Sequence, residues 1–338
     1  MSALSQQNNK RIAKNTLLLY FRMLFSMGIG LFTSRIVLES LGIEDYGIYN
    51  LVGGIVTIFA FLNSAMIATS QRFISYELGK GNLHKLKDVF CTTLTIHIAI
   101  AFIIVVLSEV IGVWFLNTKL NIPSDRMMAA NWTLQLSIFV FAVNVISVPY
   151  NASIVAHEKM SAFAYISIFE VSLKLAIAYL LLFISYDKLI VYSILVFCVA
   201  LLLRSLYCFY CKRHFEECHY TFSFNIEQFR EMFAFAGWSL VGNLGFSFKD
   251  QLSNILLNLF FGTVVNAARG ISVQVGSLIN SFSANFMMAM NPQITKSYAV
   301  GDLYRSKELV YAGCRFSFYL LAVISLPIMI NITYILNL

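Results

Sequence analysis

The sequence predicts an all-α polytopic membrane protein of two pseudo-repeated helix bundles, the second incomplete. Three observations carry that prediction. Of 338 residues, 59% are apolar and only 12% charged, against roughly 25% charged in an ordinary soluble domain. Apolar runs long enough to cross a ~30 Å hydrocarbon core, about 20 helical residues each, recur along the whole chain. A gapless self-match at an offset of 220 residues sets Gly81-Asn-Leu-His-Lys-Leu-Lys-Asp-Val89 over Gly301-Asp-Leu-Tyr-Arg-Ser-Lys-Glu-Leu309, with Gly42 over Gly262 in the same register. Strictly alternating runs are absent, which argues against a barrel.

About nine transmembrane helices are expected. The first, residues 15 to 36, keeps Asn15, Arg22, Ser26, Gly30 and Thr33 at helical spacing inside a run of Leu, Phe, Met and Ile. A mid-membrane arginine costs about 2.5 to 3.5 kcal/mol on the milder scale, so it faces a partner, a cavity or an anionic ligand. An interhelical salt bridge is the structural alternative for Arg22. Arg35 lies at the outer end of this span, where an arginine can snorkel or serve as a gate.

The second span is 46 to 70 and the third 89 to 116; His97 and Glu109 in the third are candidates for a proton relay, with structural roles as the alternative. Spans four (132 to 156) and nine (309 to 335) contain Pro149 and Pro327, whose kinks suit a rocking motion. Span five, 161 to 185, carries Glu170 and Lys174 at i, i+4, a pair that can neutralise itself on one helix. Span six runs from 189 to 211. Span seven, 232 to 260, has Asn243, Ser247, Asp250, Asn254 and Asn258 along one stripe with Lys249 beside it, and span eight, 265 to 290, has Arg269, Ser272, Gly276, Asn280 and Ser283. Such stripes line cavities or bind helices to one another, each polar contact being worth about 0.6 to 2 kcal/mol.

Loop charge sets the orientation. Lys10, Arg11, Lys14, Arg72, Lys80, Lys85, Lys87, Lys159, Lys212, Arg213, Arg230, Lys296, Arg305 and Lys307 fall on one side, and only Lys119, Arg126 and Lys188 on the other. The positive-inside rule then makes the N-terminus cytoplasmic and the C-terminus external. The net charge of +7 follows from this bias rather than from nucleic-acid binding. No small-residue cleavage site follows span one, which reads as a retained signal anchor. Cys208, Cys211, His214 and Cys218 have a spacing compatible with a metal site, but no second ligand pair accompanies them, and ordinary helix-end residues are favoured. No metal and no cofactor are expected. Three Asn-x-Ser/Thr matches, at Asn131, Asn151 and Asn331, lie in or beside spans and read as chance.

Six helices per repeat unit place residues 1–215 in a first bundle, 216–231 in a cytoplasmic linker, and 232–338 in the first three helices of a second bundle. The expectation is that the C-terminal helices are missing or that the protein is a reduced variant. Parallel repeats of this kind recur in transporters that hold substrate near mid-membrane.

The run Ser34-Arg-Ile-Val-Leu-Glu-Ser-Leu-Gly-Ile-Glu-Asp-Tyr-Gly-Ile-Tyr-Asn50, the block Gln71 to Phe90, the run Gly262-Thr-Val-Val-Asn-Ala-Ala-Arg-Gly-Ile-Ser272 and the run Pro292-Gln-Ile-Thr-Lys-Ser-Tyr-Ala-Val-Gly-Asp302 resemble the polysaccharide-exporting branch, the O-antigen and capsule flippases, of the multidrug/oligosaccharidyl-lipid/polysaccharide transporter superfamily. The chain departs from that branch in having fewer than its usual twelve or more spans. The resemblance implies a bacterial inner-membrane, multi-pass flippase. It would carry an undecaprenyl-diphosphate-linked oligosaccharide across the lipid bilayer by alternating access, beside a glycan polymerase and glycosyltransferases. Such a protein needs a polar, cationic cleft. Arg22, Ser26, Arg35, Asn243, Lys249, Asp250, Asn254, Arg269 and Asn280 are the substrate-binding residues expected, Arg22 first because its planar fork suits phosphate oxygens. The alternatives are a cation-coupled multidrug antiporter, which wants buried carboxylates that span one lacks, and a membrane glycosyltransferase or polymerase, whose P-loop, His-Glu-x-x-His or Asp-x-Asp signatures are absent.

Overall fold

The computed structural model describes residues 3–57, 60–120, 122–221 and 225–331, with the side chains at 3–8, 57, 60–62, 246–248, 250, 251, 254, 255, 258, 259, 261–264, 266–268 and 271 outside that description. Every element is helical among the described residues. The order is α1 (Ala3–Thr57), α2 (Ala60–Lys80), α3 (Leu83–Leu107), a π-turn (Ser108–Gly112) leading into α4 (Val113–Thr118), α5 (Met127–Ala156), α6 (Met160–Leu180), α7 (Lys188–His214), α8 (Ile226–Ala299) and α9 (Leu303–Ile330). Six segments are long and apolar enough to cross a membrane, among the described residues: Asn9–Val56, Leu83–Thr118, Met127–Ala156, Met160–Phe183, Lys188–His214 and Leu303–Ile330. They contain the expected spans one, three, four and six and most of spans five and nine, residues 332–335 of span nine lying outside the described residues.

α1 is two arms joined at Gly42, where φ is 78° and the backbone leaves the helix. A glycine takes that left-handed turn without the Cβ clash other residues meet. The first arm places Leu19 against Val155 and Met160 and, further along, Val37 and Leu41 against Leu181 and Leu189. The second arm returns, with Asp45 on Arg126 and Ile55 packed toward Gly112.

The expected spans seven and eight form one run of helical backbone, α8, with no separate loop. It nevertheless folds back. Met232 packs on Met66 while Lys296 closes on Gly79, and residues 66 and 79 of one helix lie only about 20 Å apart. A straight helix would hold Met232 and Lys296 roughly 96 Å apart. The chain therefore reverses between the two, although α8 holds none of the six candidate spans among the described residues.

The 220-residue register is visible in the geometry. Gly81 and Gly301 both take left-handed φ, 71° and 82°. Asn82 and Asp302 then cap α3 and α9 with the same bond, each side chain accepting from the backbone N–H three residues on, Lys85 and Arg305. Met232 and Ala236 pack with Met66 and Ile96; Ile12, the counterpart of Met232, packs with Met290 and partly buried Phe286, and Phe286 is the counterpart of Met66. A Cβ built on Gly79 would lie 3.0 Å from the Cβ of Ala299, its own counterpart. Residues that touch their repeat mates lie on the pseudo-twofold axis. Lys10, Lys14, Lys80, Lys159 and Lys296 share this end of the molecule, which we call the basic end.

At the opposite end Arg126, just before α5, ties α1 to the start of α7. Its guanidinium grips Asp45 (2.8 Å) and Asp187 (2.7 Å) at once, and Asp187 also caps α7 by accepting from Leu189 and Ile190 N–H.

Candidate functional site

α8 meets the first seven helices along two seams. On one, against α2 and α3, the contacts are apolar and aromatic: Met66, Ile96, Met232 and Ala236 are buried together, Phe73 and Phe235 meet edge to face, and the Arg72 guanidinium lies 4.3 Å from the centre of the Phe235 ring. On the other, against α1, apolar contacts of Leu19 with Ala289 and of Ile12 with Met290 run beside polar ones. Glu158 in the α5–α6 turn accepts from Arg11, Gln293 and Lys296, and further in Arg22 meets Asn285. Past Arg22, Ser26 is half-buried and a Cβ built on Gly30 would have no neighbour within 4 Å; Leu24 and Leu31, 55% and 74% exposed, lie on the opposite face of α1 with Leu17 and Phe21. α1 and α8 thus meet at the basic end.

Arg22 stands on this seam about three helical turns inward of Arg11. Its Nη2 donates to Asn285 Oδ1 at 2.9 Å, and its guanidinium carbon lies 4.9 Å from the Phe163 ring centre. Asn285 is aimed by its own amide, which donates to Ser281 O at 2.8 Å. The Nε of Arg22 is buried with no acceptor among the described residues, as are Tyr20 Oη and Thr16 Oγ1 on the same helix. Each buried polar group left unpaired costs about 1 to 3 kcal/mol. A ligand oxygen at this point would satisfy the Nε and face a group that remains cationic. Tyr207 and Glu170 act on its charge through space, and Glu170 pairs with Lys174 at 2.6 Å on its own helix as the spacing suggested.

Ser26 lies one turn past Arg22, half-buried. Asn243 is on the other seam, its Nδ2 donating to Ser64 Oγ at 3.4 Å; as the repeat counterpart of Met23 it sits at the depth of Arg22. Arg35, Lys249 and Asn280 are exposed, and Arg269 is half-buried. Asp250 and Asn254, with Ser247 and Asn258, lie outside the described side chains. Arg22 and Asn243 are therefore brought to one level on opposite seams, and Arg35 is not brought to them.

Sequence reasoning missed Asn285, Glu158 and Arg204. Asn285 falls two residues past Ser283, off the stripe assigned to span eight. Arg204 follows an unbroken apolar run in α7 and its Nη1 is buried without an acceptor; the same rule that picked Arg22 would have found it. His97 bonds its Nδ1 to Thr93 O and Glu109 accepts from Gln135, roughly 18 Å apart along one helix, so they make no relay contact. Cys211 donates to Tyr150 O and His214 turns back onto Tyr210 O; no group of three or more metal-ligating residues occurs among the described residues.

A family model described as polysaccharide biosynthesis protein matches residues 12–296. The chain belongs to the polysaccharide biosynthesis protein family. This family member is similar to the uncharacterized membrane protein EpsK of Bacillus subtilis (strain 168), with 19% identity over 285 residues, 83% of this chain and 55% of EpsK. It thus spans about half the length of the curated relative it matches. Among solved structures, the Vibrio cholerae MATE transporter VcmN in its bent form superposes with a TM-score of 0.78 at 14% identity, over 98% of this chain and 75% of VcmN. A MOP-superfamily transporter from Pyrococcus furiosus gives 0.73 at 13%, over 94% and 72%. The polysaccharide biosynthesis chain therefore has the MATE-like transporter fold.

Proposed function

We propose that this protein moves a lipid-linked oligosaccharide, an undecaprenyl-diphosphate glycan, across the bacterial inner membrane by alternating access, for polysaccharide export. One observation carries the reading: Arg22, held by Asn285 of α8, retains a buried, unpaired Nε, and on this reading it forms the floor of the substrate cleft. A diphosphate offers oxygens to that fork, while Asn243 at the same depth, and Ser26 and Asn280 higher in the cleft, suit sugar hydroxyls. The repeated corners at Gly81 and Gly301 support two bundles, 1–215 and 232–338, joined by 216–231. The loop bias supports a cytoplasmic basic end and N-terminus. In this reading the protein makes no covalent bond and needs no cofactor, and its partners are the lipid-linked glycan, the bilayer, and glycan polymerase and glycosyltransferases.

Cation-coupled drug antiport is the second reading, favoured by the likeness of fold to MATE transporters. Residues 15 to 36 contain no carboxylate to hold a coupling cation, which counts against it. The test is native mass spectrometry of the detergent-purified chain, wild type and Arg22→Ala, offered a polyprenyl-diphosphate sugar and a cationic dye together. Lipid retention lost in the mutant supports flipping; dye retention supports antiport.

A further inference from the structure

Glu158 occupies a place where the backbone alone would favour glycine. α5 ends at Ala156, and the Glu158 and Lys159 N–H groups donate back to Val155 O and Ile154 O, the double bond of a Schellman ending. Its φ is 58°, a left-handed setting that costs a residue with a Cβ about 1 to 2 kcal/mol. The end of α8 is built the same way, Gly301 and Asp302 donating to Tyr298 O and Ser297 O, and there the left-handed residue is glycine. A carboxylate has been kept at residue 158 despite the strain.

That carboxylate is enclosed and fully engaged. Glu158 is 4% exposed. Arg11 Nε reaches it from α1 at 2.6 Å, and Gln293 Nε2 and Lys296 Nζ reach it from the returning arm of α8 at 2.7 Å each. Asn15 donates to its backbone carbonyl at 3.2 Å. Lys296 does two things at once. Its side chain holds Glu158, while its backbone is pressed against Gly79, whose added Cβ would come within 2.8 Å of Lys296 Cα, beside the pseudo-twofold axis. The residue that closes the basic end on the axis is thus the residue the carboxylate pulls on.

We propose that Glu158 is the keystone of a gate: with Arg11, Gln293 and Lys296 it clasps α8 to the first half at the basic end, and release of this clasp opens the cleft on that side. The proposal rests on the alternating-access reading above. The clasp is suited to release because its members lie at the edge of the helices, where water can replace each bond that breaks; Arg11 is already 49% exposed along its side chain. The Arg126 clasp at the other end joins elements of the first half alone and stays shut through such a movement.

The test is hydrogen exchange of the whole chain in nanodiscs, followed by mass spectrometry, for wild type, Glu158→Gln, Lys296→Gln and the inverted pair Glu158→Lys with Lys296→Glu. Glu158→Gln is expected to raise exchange at residues 9–16 and 290–298 at least tenfold and to lower it at 29–36 and 272–280, since rocking that opens one end closes the other. Lys296→Gln should give the same pattern at smaller size, and the inverted pair should restore wild-type exchange at both ends. Faster exchange at the basic end with none lost opposite would show a local staple and overturn the gate, and so would no change at either end. Unchanged exchange around Asp45, Arg126 and Asp187 reports that a variant is folded. Polyprenyl-diphosphate binding to the same variants separates the two readings: a reciprocal exchange shift without binding sinks the proposed substrate and leaves the gate, whereas binding without the shift does the reverse.

Discussion

Arg22 and Asn285, 263 residues apart in sequence, are joined by a 2.9 Å hydrogen bond from guanidinium Nη2 to amide Oδ1. Only one arm of the guanidinium fork is used by this bond. Lysine in its place would keep the charge and lose the fork. Arg22→Lys is therefore expected to weaken retention of a polyprenyl diphosphate at least tenfold, and Arg22→Ala to abolish it, with the thermal midpoint of both close to wild type. Titration by native mass spectrometry reads this directly; equal affinity in Arg22→Lys and wild type would show that charge alone is recognised.

Gly79 and Gly28 should respond oppositely to alanine. At Gly79 the new methyl meets the Lys296 backbone at 2.8 Å, so helices must separate, a change that costs about 1 to 3 kcal/mol. At Gly28 it meets nothing, and alanine favours a helix over glycine by up to about 1 kcal/mol. Thermal unfolding in detergent should show Gly79→Ala lowered and Gly28→Ala unchanged or raised.

Arg126 is expected to matter for stability and not for transport. Burial alone would raise the Asp187 carboxyl, but Arg126 and the Ile190 N–H hold it below its ordinary value. Arg126→Gln leaves two carboxylates facing each other and should cost about 1 to 3 kcal/mol, loosening residues 43–48 and 181–190 in hydrogen exchange. Lys188→Ala, next in sequence to the same cap, should leave both stability and exchange as they are.

The Glu158 clasp gives the fold a defined response to acid. Burial raises this carboxyl, yet Lys296, Gln293 and Arg11 outweigh it and hold it below the usual value of 4.5. A depressed folded value contributes stability that is present above 4.5 and is lost as pH falls through the folded value. The difference in thermal midpoint between wild type and Glu158→Gln should hold constant from pH 8 to about pH 5 and shrink toward zero in stronger acid. A difference that vanishes already near neutrality would mean that a group other than Glu158 controls the site.

Much of this was legible in the sequence because the rules involved are local. Spans, the Gly81 and Gly301 corners and the Glu170–Lys174 pair follow from hydropathy, glycine and i, i+4 spacing. Arg22 was legible because an arginine in hydrocarbon calls for an explanation. Asn285 was not, since its role is set by the fold-back of α8, a long-range event that no period in residues 265 to 290 encodes. Glu158 was hidden by the absence of a glycine: a helix ending at Ala156-His157-Glu158 carries no local mark of a left-handed residue, and its partners come from positions 11, 293 and 296.

Of the two seams that flank α8, one carries a catch. The Met66, Phe73, Met232 and Phe235 edge holds by apolar contact, which salt strengthens or leaves alone and cooling weakens. The other edge shares that grip, with Ala289 buried on Leu19 and Met290 on Ile12, and adds the charges around Glu158, which salt screens wherever they are open to water. Ionic strength should therefore act on the catch alone, so that salt loosens the Glu158 end while the apolar grip along both edges holds α8 in place.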